Sequence, residues 1–249
     1  MSESTLEVAV SAGSATGEKN VGLGERFEPG TKEFAELCRS LDKRPLGYRL
    51  IKRTFDVVFS AGVVIVGFIP CALLSIAVAI DTKGSPIYSQ VRVGRLGRPF
   101  RIYKFRSMVA DADNVEKYLT PEQMIDWDRE RKVDNDPRIT RLGAILRKTS
   151  LDEIPQFINV IKGDMSIIGP RVISLEELIN YHYREVLVLL SVPQGITGPW
   201  QTGLRNEANF DNGQRQKIEL SYAECPSVRK DVNVFFSTLR AMFVERTGR

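Results

Sequence analysis

The longest apolar stretch runs from Val57 to Ile80, 24 residues without a charged side chain. At helical rise it can cross the ~30 Å hydrocarbon layer of a bilayer. Pro70 sits in its middle, where a proline removes a backbone hydrogen bond and bends or breaks a helix. Both flanks are basic: Lys43, Arg44, Arg49, Lys52 and Arg53 before, Lys83, Arg92, Arg95, Arg98 and Arg101 after. A single span keeps its excess Lys and Arg on one side. Two basic flanks therefore fit a segment that enters, turns near Pro70 and leaves on the same face. A kinked span is the alternative, and the pattern alone leaves the two level. A buried helix of a soluble core fits least, because the run exceeds ordinary helix lengths.

The first 30 residues show no periodicity and predict a disordered tail; they do not read as a signal peptide. Phe34, Leu37, Cys38 and Leu41 recur at helical spacing and predict a short amphipathic helix over 31–42. Beyond the apolar run, residues 85–91 and 100–105 read as two strands joined by the Gly-containing turn 93–99. A charged helix is expected over 111–132, a turn over 134–138, and a helix carrying Leu142, Ile145 and Leu146 that ends near Lys148. The pattern predicts an α+β protein, largely helical with a small β-hairpin. It divides into a tail (1–30), an amphipathic helix plus membrane segment (31–82) and a globular part (83–249).

The net charge of +4 is too small to argue for nucleic acid, and a surface facing anionic lipid or phosphorylated substrates explains it equally well. Cys38, Cys71 and Cys225 form no CxxC, and His182 is the one histidine, so no zinc pattern exists and the thiols read as free.

Candidate chemistry gathers in Arg147-Lys148-Thr149-Ser150-Leu151-Asp152-Glu153-Ile154-Pro155-Gln156, followed by Gly169-Pro170-Arg171. Adjacent carboxylates among basic groups suit nucleophilic chemistry on a phosphate. Capping is the plainer account. Ser150 with Glu153 matches a capping box, but Pro155 would then be the fifth helical residue, where it is unwelcome. With Asp152 as the cap, Pro155 falls in the first turn, and Ile154, Phe157, Ile158 and Ile161 make one buried stripe. A helix start there is also an anion site that keeps Asp152 ionised. Lys104 and Arg106 share a face of their strand, and a solvated, lipid-facing strand explains them as well. Arg171 in an ordinary turn, and the Gly/Pro loop 193–201 followed by Arg205, have equally plain structural readings.

At these motifs the chain resembles the bacterial sugar transferase family, monotopic phosphoglycosyl transferases acting on polyprenyl phosphate. The likeness covers about residues 45–245. It rests on Lys104-Phe105-Arg106-Ser107-Met108, on Arg147 through Glu153 with Pro155-Gln156, on Lys162 through Arg171, and on Gly195-Ile196-Thr197-Gly198 with Trp200-Gln201. The resemblance implies a re-entrant helix broken near Pro70, at the cytoplasmic face of the bacterial inner membrane. It implies that Asp152 attacks the β-phosphate of a UDP-sugar, that UMP leaves, and that undecaprenyl phosphate takes the phosphosugar. Glu153 would assist, Asp152 would hold Mg2+, and Lys104, Arg147, Arg171 and Arg205 would bind phosphates. A hexose donor, galactose or glucose, is preferred over an N-acetylhexosamine. The partners implied are the nucleotide sugar, the lipid phosphate and membrane lipid, with a second copy of the chain allowed and no nucleic acid.

Three departures from the family pattern stand out. Gln194 replaces a proline before Gly195, Gly203-Leu204-Arg205-Asn206 replaces Ser-Gly-Arg-Asn, and Glu219 stands where an Asp precedes a Tyr-Val pair, here Tyr222-Ala223. Arg205 and Glu219 are accordingly the weaker site candidates. The rival class is a non-catalytic membrane adaptor that binds anionic lipid through its basic hairpin.

Overall fold

The computed structural model describes residues 28–130, 133–202 and 213–241. Helix α1 (Lys32–Leu41) opens on Thr31, whose hydroxyl accepts from the Phe34 N–H at 3.2 Å. It buries Phe34, Ala35 and Cys38 and leaves Leu37 at the surface. Asp42 then ends it and pairs with Arg44 and Arg95.

Helix α2 (Leu46–Thr82) carries the apolar run, with Pro70 inside. Its buried residues are unusual. Tyr48, Lys52, Asp56 and Ser60 recur every four residues, and Val78 and Thr82 repeat that spacing at the far end. The face against the protein is thus largely polar, while Ile65, Val66, Phe68 and Ile69 stand out, 69–80% exposed. A water-soluble helix does the reverse.

Strands β1 (Ile87–Val93) and β2 (Pro99–Phe105) pair antiparallel, with Tyr88 opposite Lys104 and Arg92 opposite Phe100. The hairpin lies where the alternation put it. Its turn bends through Leu96 and Gly97 at positive φ, and a Cβ on Gly97 would strike the Phe34 ring of α1.

The expected helix over 111–132 is shorter: a 3-10 turn at Val115–Lys117, then α3 (Pro121–Glu130). Helix α4 (Arg141–Thr149) is capped by Thr140 and ends on Ser150 in the left-handed region. A 3-10 turn, Leu151–Glu153, leads into α5 (Gln156–Lys162), which stops on Gly163 at φ 91°. Neither Ser150 nor Asp152 caps α5 with its side chain; the 3-10 turn takes up the residues before Pro155 instead. The buried face of α5 is Gln156, Asn159 and Val160, and Ile158 and Ile161 point outward. Asn159 is held inside because it ties α5 to β2, accepting from the Tyr103 N–H and donating to the Arg101 carbonyl.

Strand β3 (Ser166–Ile168) pairs in parallel with β4 (Gly195–Thr197), a second small sheet that the sequence reading missed. Between them lie the 3-10 turn Glu176–Asn180 and helix α6 (Tyr183–Leu189), whose Val186, Leu187 and Leu189 pack on Phe34 and Cys38 of α1. Helices α7 (Pro199–Thr202), α8 (Gln214–Glu224) and α9 (Val228–Arg240) complete the α+β fold.

Helix α2 reaches this body at both ends. Near its start, Asp56 accepts from the Ile167 N–H, Arg53 donates to the Val160 and Ile161 carbonyls, and Phe59 meets Phe157. Near its end, Val78 is buried with Phe105 and Leu146, beside Cys71, Leu74 and Ile154. Ile154 and Phe157, which follow the turn that carries Asp152, thus meet the far and the near part of α2.

Candidate active site

Asp152 stands in the 3-10 turn between α4 and α5 and is buried, at 9% exposure. That turn forms because Ser150 adopts φ 56° and ends α4 abruptly, and because Pro155 cannot donate to a preceding turn. Burial pushes the Asp152 carboxyl up to about 6. The charge of Glu153 adds to the rise, and Lys104, Arg147 and a backbone N–H oppose it. The expectation that a helix start would hold this group ionised is thus replaced by one of burial against two cations.

Lys104, on β2, donates to Glu153 Oε1 at 2.9 Å. Arg147, in the last turn of α4, is oriented by Ser107, whose hydroxyl accepts from its Nε at 2.8 Å. Ser107 is itself fixed, because a Cβ on Gly143 of α4 would run into the Ser107 backbone. The structure therefore brings together Asp152, Glu153, Lys104 and Arg147. Among the described residues no three His, Cys, Asp or Glu side chains group as a metal site.

Arg171 lies elsewhere. Its guanidinium stacks on the Trp200 ring with a centroid distance of 5.2 Å, and Arg215 of α8 stacks on the same ring at 4.6 Å. Glu177 joins this group, 3.2 Å from Arg92 and 3.6 Å from Arg215. Burial alone would raise the Glu177 carboxyl, but Arg171, the Ser174 N–H, Arg215 and Arg92 together hold it below its usual value. Glu219, one turn along α8 from Arg215, accepts from the Arg171 backbone N–H at 2.9 Å. Burial pushes its carboxyl up to about 7, against that hydrogen bond and the charges of Arg215 and Arg171.

Arg92 and Lys104 share a face of the hairpin, since Tyr88 is opposite Lys104 and Arg92 is four residues beyond Tyr88. Four residues of strand put Arg92 about 13 Å along the hairpin from Lys104. Sequence reading missed Arg92 and Arg215: the first looked like a membrane flank, and no motif marked the second. Arg205 lies outside the described residues.

The Gly169-Pro170-Arg171 and Gly195-Ile196-Thr197-Gly198 motifs prove to be one unit. Gly169 donates to the Thr197 carbonyl and Gly195 to the Pro170 carbonyl. A Cβ on Gly195 would strike the Gly169 backbone, and one on Gly198 the Gly169 carbonyl. Gln194, where the family pattern has proline, is fully buried and donates to the Leu189 and Val192 carbonyls.

The bacterial sugar transferase profile matches residues 47–245. The exopolysaccharide production protein ExoY of Rhizobium meliloti is 39% identical over 207 residues, covering 82% of this chain and 89% of its own. The undecaprenyl-phosphate galactose phosphotransferase of Salmonella typhimurium is 40% identical over 197 residues, 78% of this chain and 40% of its own. The UDP-glucose:undecaprenyl-phosphate glucose-1-phosphate transferase of Escherichia coli is 35% identical over 208 residues, 80% of this chain and 42% of its own. The chain thus spans about two fifths of the length of several curated relatives and most of ExoY. With its motifs gathered into two charged clusters beside one apolar helix, the chain belongs to the bacterial sugar transferase family.

Proposed function

We propose that the protein transfers a sugar-1-phosphate from a UDP-sugar to undecaprenyl phosphate and so begins the assembly of an exopolysaccharide, capsule or O-antigen. The observation that carries this reading is the buried Asp152 between Glu153, Lys104 and Arg147, in a turn whose following residues, Ile154 and Phe157, pack on α2. A carboxylate pressed by burial but balanced by two cations is a nucleophile kept reactive at neutral pH.

An Asp152 oxygen attacks the β-phosphorus, and the bond from that phosphorus to the bridging oxygen breaks. UMP leaves with the electron pair, and the phosphosugar stays on Asp152. An oxygen of undecaprenyl phosphate then attacks the same phosphorus and frees the carboxylate. Lys104 and Arg147 hold phosphate oxygens as charge shifts toward the leaving group. Glu153, tied to Lys104, keeps that ammonium beside the dyad.

Magnesium fits this donor set, because it is commonly held by one or two carboxylates together with substrate phosphates. Asp152, crowded by the Glu153 charge, would hold it, and the ion would offset negative charge on the diphosphate.

A re-entrant α2 is supported by the contacts at both of its ends with one body. Asp56 meets β3, Val78 meets Phe105 of β2 and Leu146 of α4, and the residues around Pro70 stand out. Both ends then lie on the cytoplasmic face of the bacterial inner membrane, where a soluble nucleotide and a lipid phosphate can meet. A hexose donor follows the relatives named for galactose and glucose.

The test is UMP release from UDP-galactose and UDP-glucose by purified protein with magnesium and undecaprenyl phosphate, beside Asp152→Asn. Release that needs the lipid phosphate and vanishes in the variant supports the transferase. A folded, membrane-inserted protein that releases UMP from no donor leaves the adaptor reading.

A further inference from the structure

We infer that Arg171 and Arg215, over the Trp200 ring, with Arg92 joined to them through Glu177, form a separate seat for the nucleoside phosphate half of the donor. This rests on the nucleotide-sugar reading above and goes beyond it in giving the nucleotide its own residues.

Charge comes first. Three guanidinium groups meet Glu177 and Glu219, and the charge of Glu176 also reaches Arg92. Glu177 forms ion pairs with Arg92 and Arg215 and its charge also acts on Arg171, and Glu219 is spent on the Arg171 backbone. Among the described residues, the Arg171 guanidinium has no hydrogen bond or ion pair; it lies on the Trp200 ring with its donor fork open. The second oxygen of Glu219, in a side chain 1% exposed, also has no partner. A partly buried cluster of guanidinium groups with one open fork is suited to a phosphate, which guanidinium groups bind bidentately.

Position decides which phosphate. Arg92 of this cluster shares the hairpin face of Lys104 but lies about 13 Å along it, the scale of an extended nucleoside diphosphate with its sugar phosphate at Asp152. The cluster's residues come from β1, the segment after β3, α7, α8 and the turn Glu176–Asn180, beside Tyr181 and Leu178 of the core that α1 and α6 share. Helix α2 packs on α5, β3, α4 and α9, none of which carries one of the three arginines. The membrane side of the site is thus the dyad side, where the lipid phosphate arrives, and the arginine cluster serves the soluble substrate. Stacked guanidinium and indole planes also give a pyrimidine a flat surface.

The experiment is calorimetric binding of UMP to the full-length protein in nanodiscs. Arg92→Gln and Arg215→Gln should weaken UMP binding by about tenfold or more, as loss of a charge-assisted hydrogen bond does. Arg215→Lys should recover only part, because lysine lacks the planar fork, and Asp152→Asn should bind UMP as the unaltered protein does. Should Arg215→Gln fail to fold, Arg92→Gln and Trp200→Leu carry the test. Unchanged UMP affinity in folded variants overturns the seat. So does inorganic phosphate that competes as well as UMP, because the site would then be a bare anion hole. Bound UMP without release from any donor overturns the transferase reading while supporting the seat, so the two failures are distinguishable.

Discussion

The Lys104 ammonium lies 2.9 Å from Oε1 of Glu153, the residue next to Asp152. Both side chains are about one third exposed, so the pair adds little to stability. Its effect falls on Asp152, whose carboxyl is raised by the Glu153 charge and lowered by that of Lys104. Lys104→Met should leave the melting temperature nearly unchanged, lower kcat/KM by about tenfold or more, and move the acid limb of the pH–rate profile to higher pH. A profile that does not move would show that Lys104 has no hold on the nucleophile.

The pH dependence has a definite sign. With its carboxyl near 6, Asp152 as the proposed nucleophile would lose its ionised form as pH falls, so the rate should drop through that value by about tenfold per pH unit below it. Stability runs the other way. Asp152 and Glu219 both hold protons more tightly folded than unfolded, so their contribution is present at low pH and lost as pH rises through about 6 and about 7. Glu219→Gln should flatten the fall in melting temperature between about pH 4.5 and about pH 7. An unchanged slope would remove Glu219 from that account.

The contact between Gly195 and Gly169 makes a sharper structural prediction. Gly195→Ala forces β4 away from the Gly169 backbone, and overpacking of this kind costs about 1–3 kcal/mol. Arg171, two residues from Gly169, should shift with it. The expected outcome is a lower melting temperature together with a raised KM for the nucleotide sugar. Unaltered kinetics would uncouple the two motifs.

A re-entrant α2 predicts that its two ends share a face. Single cysteines at Arg49 and at Lys83, in a background with Cys38, Cys71 and Cys225 changed to serine, should both react with an impermeant maleimide from the cytoplasmic side. Labelling from opposite sides would make α2 a span.

The hairpin was legible because alternation survives in a strand that is half buried, and α2 because 24 uncharged residues have few other uses. The pairing of β3 with β4 was not legible. Each has three residues, and they join by the approach of Gly169 to Gly195 across a long connection. The buried stripe assigned to Ile158 and Ile161 failed because the amphipathic rule assumes water outside; here Asn159 is the inward residue, fixed by β2. At the site, Asp152, Glu153, Lys104 and Arg147 were readable from adjacent motifs, whereas Arg92 and Arg215 become meaningful only once folding brings them to Glu177 and Trp200.

The polar stripe of α2 makes this helix, long and apolar enough to cross a membrane, a member of the domain as well. Asp231 receives hydrogen bonds from Tyr48, Lys52 and Tyr222, and Asp56 holds the Ile167 N–H. Removing residues 1–82 to obtain a detergent-free protein would strip Asp231 of two of its three donors and leave the Ile167 amide without its acceptor. Unpaired buried groups of this kind are costly. The truncated chain should therefore precipitate or stay unfolded, and a soluble, active version is better sought by replacing the outward-facing residues such as Ile65, Val66 and Ile69 while keeping every fourth position from Tyr48 to Ser60.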